Sequence, residues 1–167
     1  MEFDDFVRAR GAALVRLARL LTGDRHRGED LTQEVLARAF VSWKRIAAMR
    51  APEAYLRRML VNAAITRGRR MSSRELVVAD TGDPAGRSDL EAEVADRDVL
   101  WAYVRRLPAK QRAAVVLRYY EDLDDATIAE LLNCSAVTVR TQVKRALDAL
   151  RGALDTDTEL FSTGGSR

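Results

Sequence analysis

The stretch DDATIAELLNCSAVTVRTQVKRALDALR, residues 124–151, decides how this chain is read. Asp124 is a capping residue ahead of a short apolar-periodic segment, Asp125 to Leu132, in which Ile128, Ala129 and Leu132 are expected to point inward. Asn133 tolerates the left-handed backbone that a tight turn needs, and Cys134 is expected as a small buried residue. Ser135 is a strong cap for the helix that follows. In that helix Val139, Val143, Leu147 and Leu150 recur at steps of three and four and form a core stripe. Its other side carries Arg140, Thr141, Lys144 and Arg145. Two short helices, a three-residue turn and a basic, hydroxyl-bearing outer face make a helix-turn-helix. The competing reading is a helical hairpin whose basic face is merely solvated. Three features together favour DNA: Ala129 where helices must cross closely, the Asn-Cys-Ser turn, and cations near the start of the second helix. Arginine forks onto guanine, while lysine and threonine serve phosphates or base edges.

The rest of the chain reads as helices with one interruption. Residues 3–21 place Phe3, Phe6, Val7, Leu14, Leu17 and Leu21 at helical spacing, with Gly23 as the stop. Asp24 caps a second helix running to about Trp43, whose stripe is Leu31, Val35, Leu36, Ala39, Phe40 and Trp43. Lys44 to Ala51 breaks the pattern, and Pro52 with Glu53 opens a third helix. That helix is expected to bury Leu56, Met59, Leu60 and Ala63 and to end in the Arg67-Gly68-Arg69-Arg70 cluster. From Ser72 to about Leu90 the texture turns polar, and Thr81 to Gly86 is turn chemistry, so this stretch reads as a linker. Helicity resumes near Glu91 with Val94, Leu100, Trp101, Val104 and Leu107 as its apolar face. Pro108 marks a turn, and Ala109 to Tyr120 is a further helix. The tail from Asp155 to Arg167 has no period and is expected to fray.

The net charge of +3 hides an uneven distribution. Residues 52–71 carry five arginines against Glu53, whereas residues 75–98 carry eight acids against Arg87 and Arg97. Basic blocks favour polyphosphate, and acidic ones stay solvated or face a basic surface. With one cysteine and one histidine, the chain has no disulfide framework, no cysteine-based metal site and no histidine pair for zinc. No metal and no cofactor are expected. No apolar run approaches a membrane span and no signal segment opens the chain, so a cytoplasmic protein is expected.

Leu107-Pro108 followed by Arg112, then Leu117-Arg118-Tyr119-Tyr120-Glu121, Ile128-Ala129-Glu130 and Thr138-Val139-Arg140, resembles region four of the extracytoplasmic-function (ECF) sigma factors of bacterial RNA polymerase. The N-terminal half resembles region two of the same family. Glu29-Asp30-Leu31-Thr32-Gln33-Glu34-Val35 is similar to the segment that grips core polymerase. Tyr55-Leu56-Arg57-Arg58 through Asn62, with the closing Arg67 to Arg70 cluster, is similar to the element that melts and reads the −10 promoter. The resemblance covers nearly all of residues 3–154 and is strongest to the short actinobacterial SigE subgroup.

The resemblance implies an all-α chain of two small domains. Residues 1–71 would be sigma region two, 72–90 a flexible acidic linker, 91–154 sigma region four and 155–167 a tail. It implies that Asp30, Gln33 and Glu34 meet the β′ clamp helices of core polymerase, and that the β subunit is also contacted. It assigns Asn62, Arg58, Arg67, Arg69 and Arg70 to the −10 strand. Arg140, Thr141, Lys144, Arg145 and Arg118 go to the −35 duplex. Many members are held by an anti-sigma factor, which would be a further protein partner; no small-molecule substrate and no catalytic residue are implied. The chain departs from the family at Val137, where glycine is frequent, and at Lys144, where some members carry a bulkier residue; both bear on the preferred −35 sequence.

Two other functions compete. A stand-alone regulator would use only the C-terminal motif and would not need the Asp30–Glu34 and Asn62–Arg70 segments. An enzyme with a DNA-binding tail would need a nucleotide loop, metal ligands or a triad, and the sequence carries none of these.

Overall fold

A computed structural model describes residues 1–75 and 95–163, which divide into two units lying within Met1–Asp89 and Leu90–Arg167. In the first unit α1 (Phe3–Thr22) buries Phe6, Leu14, Leu17, Ala18 and Leu21, a stripe set by the helical period. The helix stops because Gly23 takes a left-handed backbone (φ 70°) and its N–H reaches the Arg19 carbonyl at 2.9 Å. Asp24 then caps α2 (Arg25–Val41) by accepting from the Arg27 N–H at 2.9 Å. The turn folds α2 back onto α1 so closely that a Cβ on Gly28 would lie 2.7 Å from the Arg19 Cα. Only glycine fits there. One turn on, Thr32 is buried and its hydroxyl donates to the Gly28 carbonyl at 2.8 Å, so the core holds no unpaired hydroxyl at that point.

Trp43 is buried, as its place in the stripe implies, but it does not belong to α2. Ser42 interrupts α2, and Trp43 opens a separate short helix, α3 (Trp43–Ala47), within the segment expected to be irregular. The indole N–H donates to the Met1 carbonyl at 3.0 Å, and the ring packs against Phe3 and Phe6 at centroid distances of 5.3 and 5.0 Å. Phe40, expected in the core, is 64% exposed and touches Phe3 edge-on, because the break at Ser42 leaves the indole to seal that end of the core. In α4 (Pro52–Glu75) the buried residues are Leu56, Leu60, Val61 and Ala64, with Met59 and Ala63 only half-buried. The expected face is thus rotated slightly. The helix also runs through residues 72–75, which the sequence reads as linker. The rest of that linker, residues 76–90, lies outside the described residues.

The second unit begins with α5 (Ala95–Arg106), which buries Val104 and leaves Leu100 45% exposed; Leu107 is buried just beyond its end, and Val94 is outside the described residues. Pro108 starts α6 (Ala109–Val115), which passes into one wide turn, Val116–Tyr120, where the Glu121 N–H reaches five residues back to Val116 at 3.2 Å. The expected single helix therefore ends in a π turn, after which Asp122 takes a left-handed backbone (φ 53°). Then come α7 (Asp125–Leu132) and α8 (Ala136–Thr163). Val104, Leu107 and Val115 pack with Ala146 and Leu150 of α8, flanked by Trp101, Tyr103 and Leu147. Each fully buried leucine or valine contributes roughly 1.5–3 kcal/mol. The tail expected to fray is helical as far as Thr163, the end of α8. Among the described residues no strand occurs, and no helix is long and apolar enough to cross a membrane.

Candidate nucleic-acid interface

The turn between α7 and α8 is built by side chains that satisfy backbone groups. Asp124 accepts from the Thr127 N–H at 2.8 Å and so closes the start of α7. Thr127, through its side-chain hydroxyl first and its N–H second, holds the Asp124 carboxyl below its ordinary range. A carboxyl with a lowered folded pKa stabilises above its unfolded value, and that contribution is lost as pH falls through the folded value. Acidification into and below the ordinary aspartate range should therefore loosen α7 first at its start; amide exchange of Thr127 read against pH checks this, and an Asp124→Asn variant should lose the dependence.

Asn133 ends α7 in the left-handed conformation (φ 53°, ψ 51°), and the Cys134 N–H returns to the Ala129 carbonyl at 3.0 Å. Cys134 is half-buried rather than fully enclosed. The Ser135 hydroxyl accepts from the Thr138 N–H at 3.1 Å and caps α8. Because the turn fixes positive φ at Asn133, Asn133→Ala should lower stability by about 1 kcal/mol and Asn133→Gly should not, as thermal unfolding would show. Helices α7 and α8 pack together, with Ile128, Ala129 and Leu131 of α7 and Val139, Val143 and Ala146 of α8 all buried. Leu131 thus takes the inward place expected for Leu132, which is half-buried.

This packing turns Arg140, Thr141, Lys144 and Arg145 to the exposed side of α8, as expected from the sequence. Thr141 donates to the Val137 carbonyl at 3.0 Å, leaving its oxygen lone pairs outward. Lys144 and Arg145 have no ion-pair partner among the described residues. Arg118, in the π turn, is joined to the same face through a residue that sequence reasoning missed. The Asp125 carboxylate accepts from Arg118 and lies 3.6 Å from the Arg140 guanidinium. An acid in the first turn of a helix is common, so nothing in the spacing marks Asp125 as a bridge.

The cations of α4 separate into two groups. At 3.6 residues per turn, Arg58, Asn62 and Arg69 share one face, and all three are exposed. Arg67 points away from them, toward α2, and binds the Glu34 carboxylate, which Arg38 also binds at 2.8 Å. Arg70 is exposed to one side of the Arg58–Asn62–Arg69 stripe. A residue assigned from sequence to polymerase, Glu34, and one assigned to DNA, Arg67, are therefore partners of each other. Asp30 and Gln33 stand exposed on α2. Glu29, beside them, is held below its ordinary range by its bond to Arg19 and then by that to Arg25, at 2.7 and 3.3 Å. Among the described residues no group of three or more His, Cys, Asp and Glu side chains is placed to hold a metal.

One unit carries a helix-turn-helix with a cationic outer face and the other an exposed Arg-Asn-Arg stripe, the features of a two-domain, all-helical protein of the DNA-binding class. Comparison with known proteins makes this specific. The family profile for sigma-70 region 2 matches residues 6–74, and that for sigma-70 region 4 matches residues 97–150. The chain is 37% identical over 155 residues to the RNA polymerase sigma-E factor of Streptomyces avermitilis, covering 93% of this chain and 86% of that one. It is 37% identical over 154 residues to the sigma-E factor of Streptomyces coelicolor, covering 92% and 86%. Among solved structures, the sigma factor RpoE of Bartonella quintana, in complex with the anti-sigma factor NepR, shares the fold. Its TM-score is 0.73 at 20% identity, with 93% of this chain and 98% of that one covered. The chain belongs to the ECF sigma factors, the promoter-specificity subunits of bacterial RNA polymerase.

Proposed function

We propose that α8 lies in the major groove of the −35 duplex and that the exposed face of α4 takes the melted −10 strand. The observation that carries the first half is the division of α8: Val139, Val143 and Ala146 buried, and Arg140, Thr141, Lys144 and Arg145 exposed on the opposite side. Arg140 reads a base edge, Thr141 either a base or a phosphate, and Lys144 and Arg145 neutralise phosphates. Arg118 braces a phosphate from the π turn. On α4, Asn62 addresses the edge of an unstacked base while Arg58 and Arg69 track the backbone, with Arg70 beside them. Arg67, bound to Glu34, holds α4 against α2 and reaches DNA only if that pair opens.

Asp30, Gln33 and Glu34 face the β′ clamp helices, and region four also meets the β subunit. Two readers on one chain make spacing part of specificity, because the second contact is intramolecular once the first has formed. The protein has no catalytic residue of its own in this reading and takes no cofactor; the polymerase supplies the chemistry, and the protein acts in the cytoplasm. By analogy with RpoE, solved with an anti-sigma factor, an anti-sigma partner belongs to the same reading. The domain limits follow the motifs, with residues 1–71 and 91–154 as the two binding modules and the acidic stretch as their tether.

Purified protein added to core polymerase should start transcription from a matched promoter in a genomic promoter pool, with start sites read by sequencing; silence across the pool would sink the proposal. Asn62→Ala should slow opening on duplex promoters by about tenfold, the loss of a base contact, and matter less on a pre-melted template. Equal losses on both templates would mean that Asn62 reads a base without assisting opening.

A further inference from the structure

Asp125 occupies a position that capping does not explain. Asp124 already closes the start of α7 through the Thr127 N–H, yet the Asp125 carboxylate is turned aside and used at both oxygens. One accepts from Arg118 of the π turn, and the other lies 3.6 Å from Arg140 of α8. Its side chain is 21% exposed, against 37% for Arg118 and 57% for Arg140, so the acid sits beneath two cations that still face solvent. Three elements consecutive in sequence are joined by one negative charge.

We propose that Asp125 is a specificity-determining residue for −35 recognition, acting through Arg140 and Arg118 rather than by touching DNA. The proposal rests on the reading of α8 as the −35 helix. A guanidinium has five N–H donors in a rigid fork, so one edge can be held by a carboxylate while another is presented to a base. Buttressed from the side, Arg140 gives up less side-chain freedom on binding and is kept from swinging onto the nearest phosphate. The same carboxylate offsets one of the four positive charges of Arg118, Arg140, Lys144 and Arg145. It thereby lowers attraction to any duplex regardless of sequence. Both effects act in one direction: they raise the ratio of matched to unmatched binding.

The test uses holoenzyme made from the full chain and core RNA polymerase, a promoter pool with a randomised −35 segment, and a series of salt concentrations, with retained DNA sequenced. Wild type should enrich a defined −35 sequence. Asp125→Asn should flatten that preference about tenfold, the scale of one oriented base contact. It should also hold unselected DNA to higher salt, with the slope of log K against log salt steeper by about one. Asp125→Glu, which keeps the charge, should restore both. Asp125→Ser removes the charge while retaining a residue favoured at helix starts, and carries the test if the asparagine variant melts. An unchanged −35 preference and salt slope in the uncharged variants, with only a lower melting temperature, would overturn the proposal by making Asp125 a structural residue. Loss of wild-type behaviour in Asp125→Glu would overturn it as well. If wild type enriches no −35 sequence, the reading of α8 itself fails, and this proposal falls with it.

Discussion

Gly28→Val is expected to unfold the α1–α4 unit while leaving α5–α8 folded. The reason is contact with backbone rather than with a movable side chain: an added Cβ meets the Arg19 Cα and N at 2.7 Å each, and valine adds two further carbons. Neither helix can yield without opening the core of Leu14, Leu17, Leu31 and Val35. Overpacking usually costs about 1–3 kcal/mol, and a clash with backbone should reach or exceed the top of that range. A small unit has only about 5–15 kcal/mol in all. Circular dichroism should show part of the helical signal lost or melting far earlier, and binding to core polymerase should fall with it. The contrast is Gly152→Ala on α8, where nothing lies within 4 Å of the added carbon. That change should leave the protein as stable or stabilise it by about 0.5–1 kcal/mol. If the two glycine variants melt alike, the close approach of α1 and α2 is wrong.

Arg140→Ala is expected to weaken promoter binding by about 10- to 100-fold, the value of one bidentate base contact, without changing affinity for core polymerase. The residue is exposed on α8, and its removal leaves Asp125 paired with Arg118, so no charge is stranded and the fold should hold. Filter binding of holoenzyme to a matched promoter, beside titration of the variant against core polymerase alone, separates the two affinities. An equal loss in both would move α8 from the DNA to the polymerase. Lys144→Ala serves as comparison, because a phosphate contact should weaken all sequences alike and make the salt dependence shallower by about one.

The helices and their caps were legible in the sequence because they depend on residues near one another along the chain. Gly23, Asp24, Asp124, Asn133 and Ser135 do in the structure what their types imply, since capping joins atoms only a few residues apart. Errors arose where a distant group intervened. Phe40 left the expected stripe, 64% exposed, where the buried Trp43 indole, bonded to the Met1 carbonyl across the unit, closes that end of the core. The tail beyond Asp155 read as aperiodic but continues α8 to Thr163, since a helix already nucleated extends at little cost through residues with no strong pattern.

Local periodicity and contiguous motifs suffice for the all-helical class, for the helix-turn-helix with its outward Arg140, Thr141, Lys144 and Arg145, and for the family. The tertiary structure alone decided how charges pair between helices. It tied Arg67 to Glu34 and turned it away from the face of Arg58, Asn62 and Arg69, and it set Asp125 between Arg118 and Arg140. Helical period gives the direction in which a side chain leaves its own helix. It carries no information about which opposite charge waits on the next one, because that depends on how the helices pack.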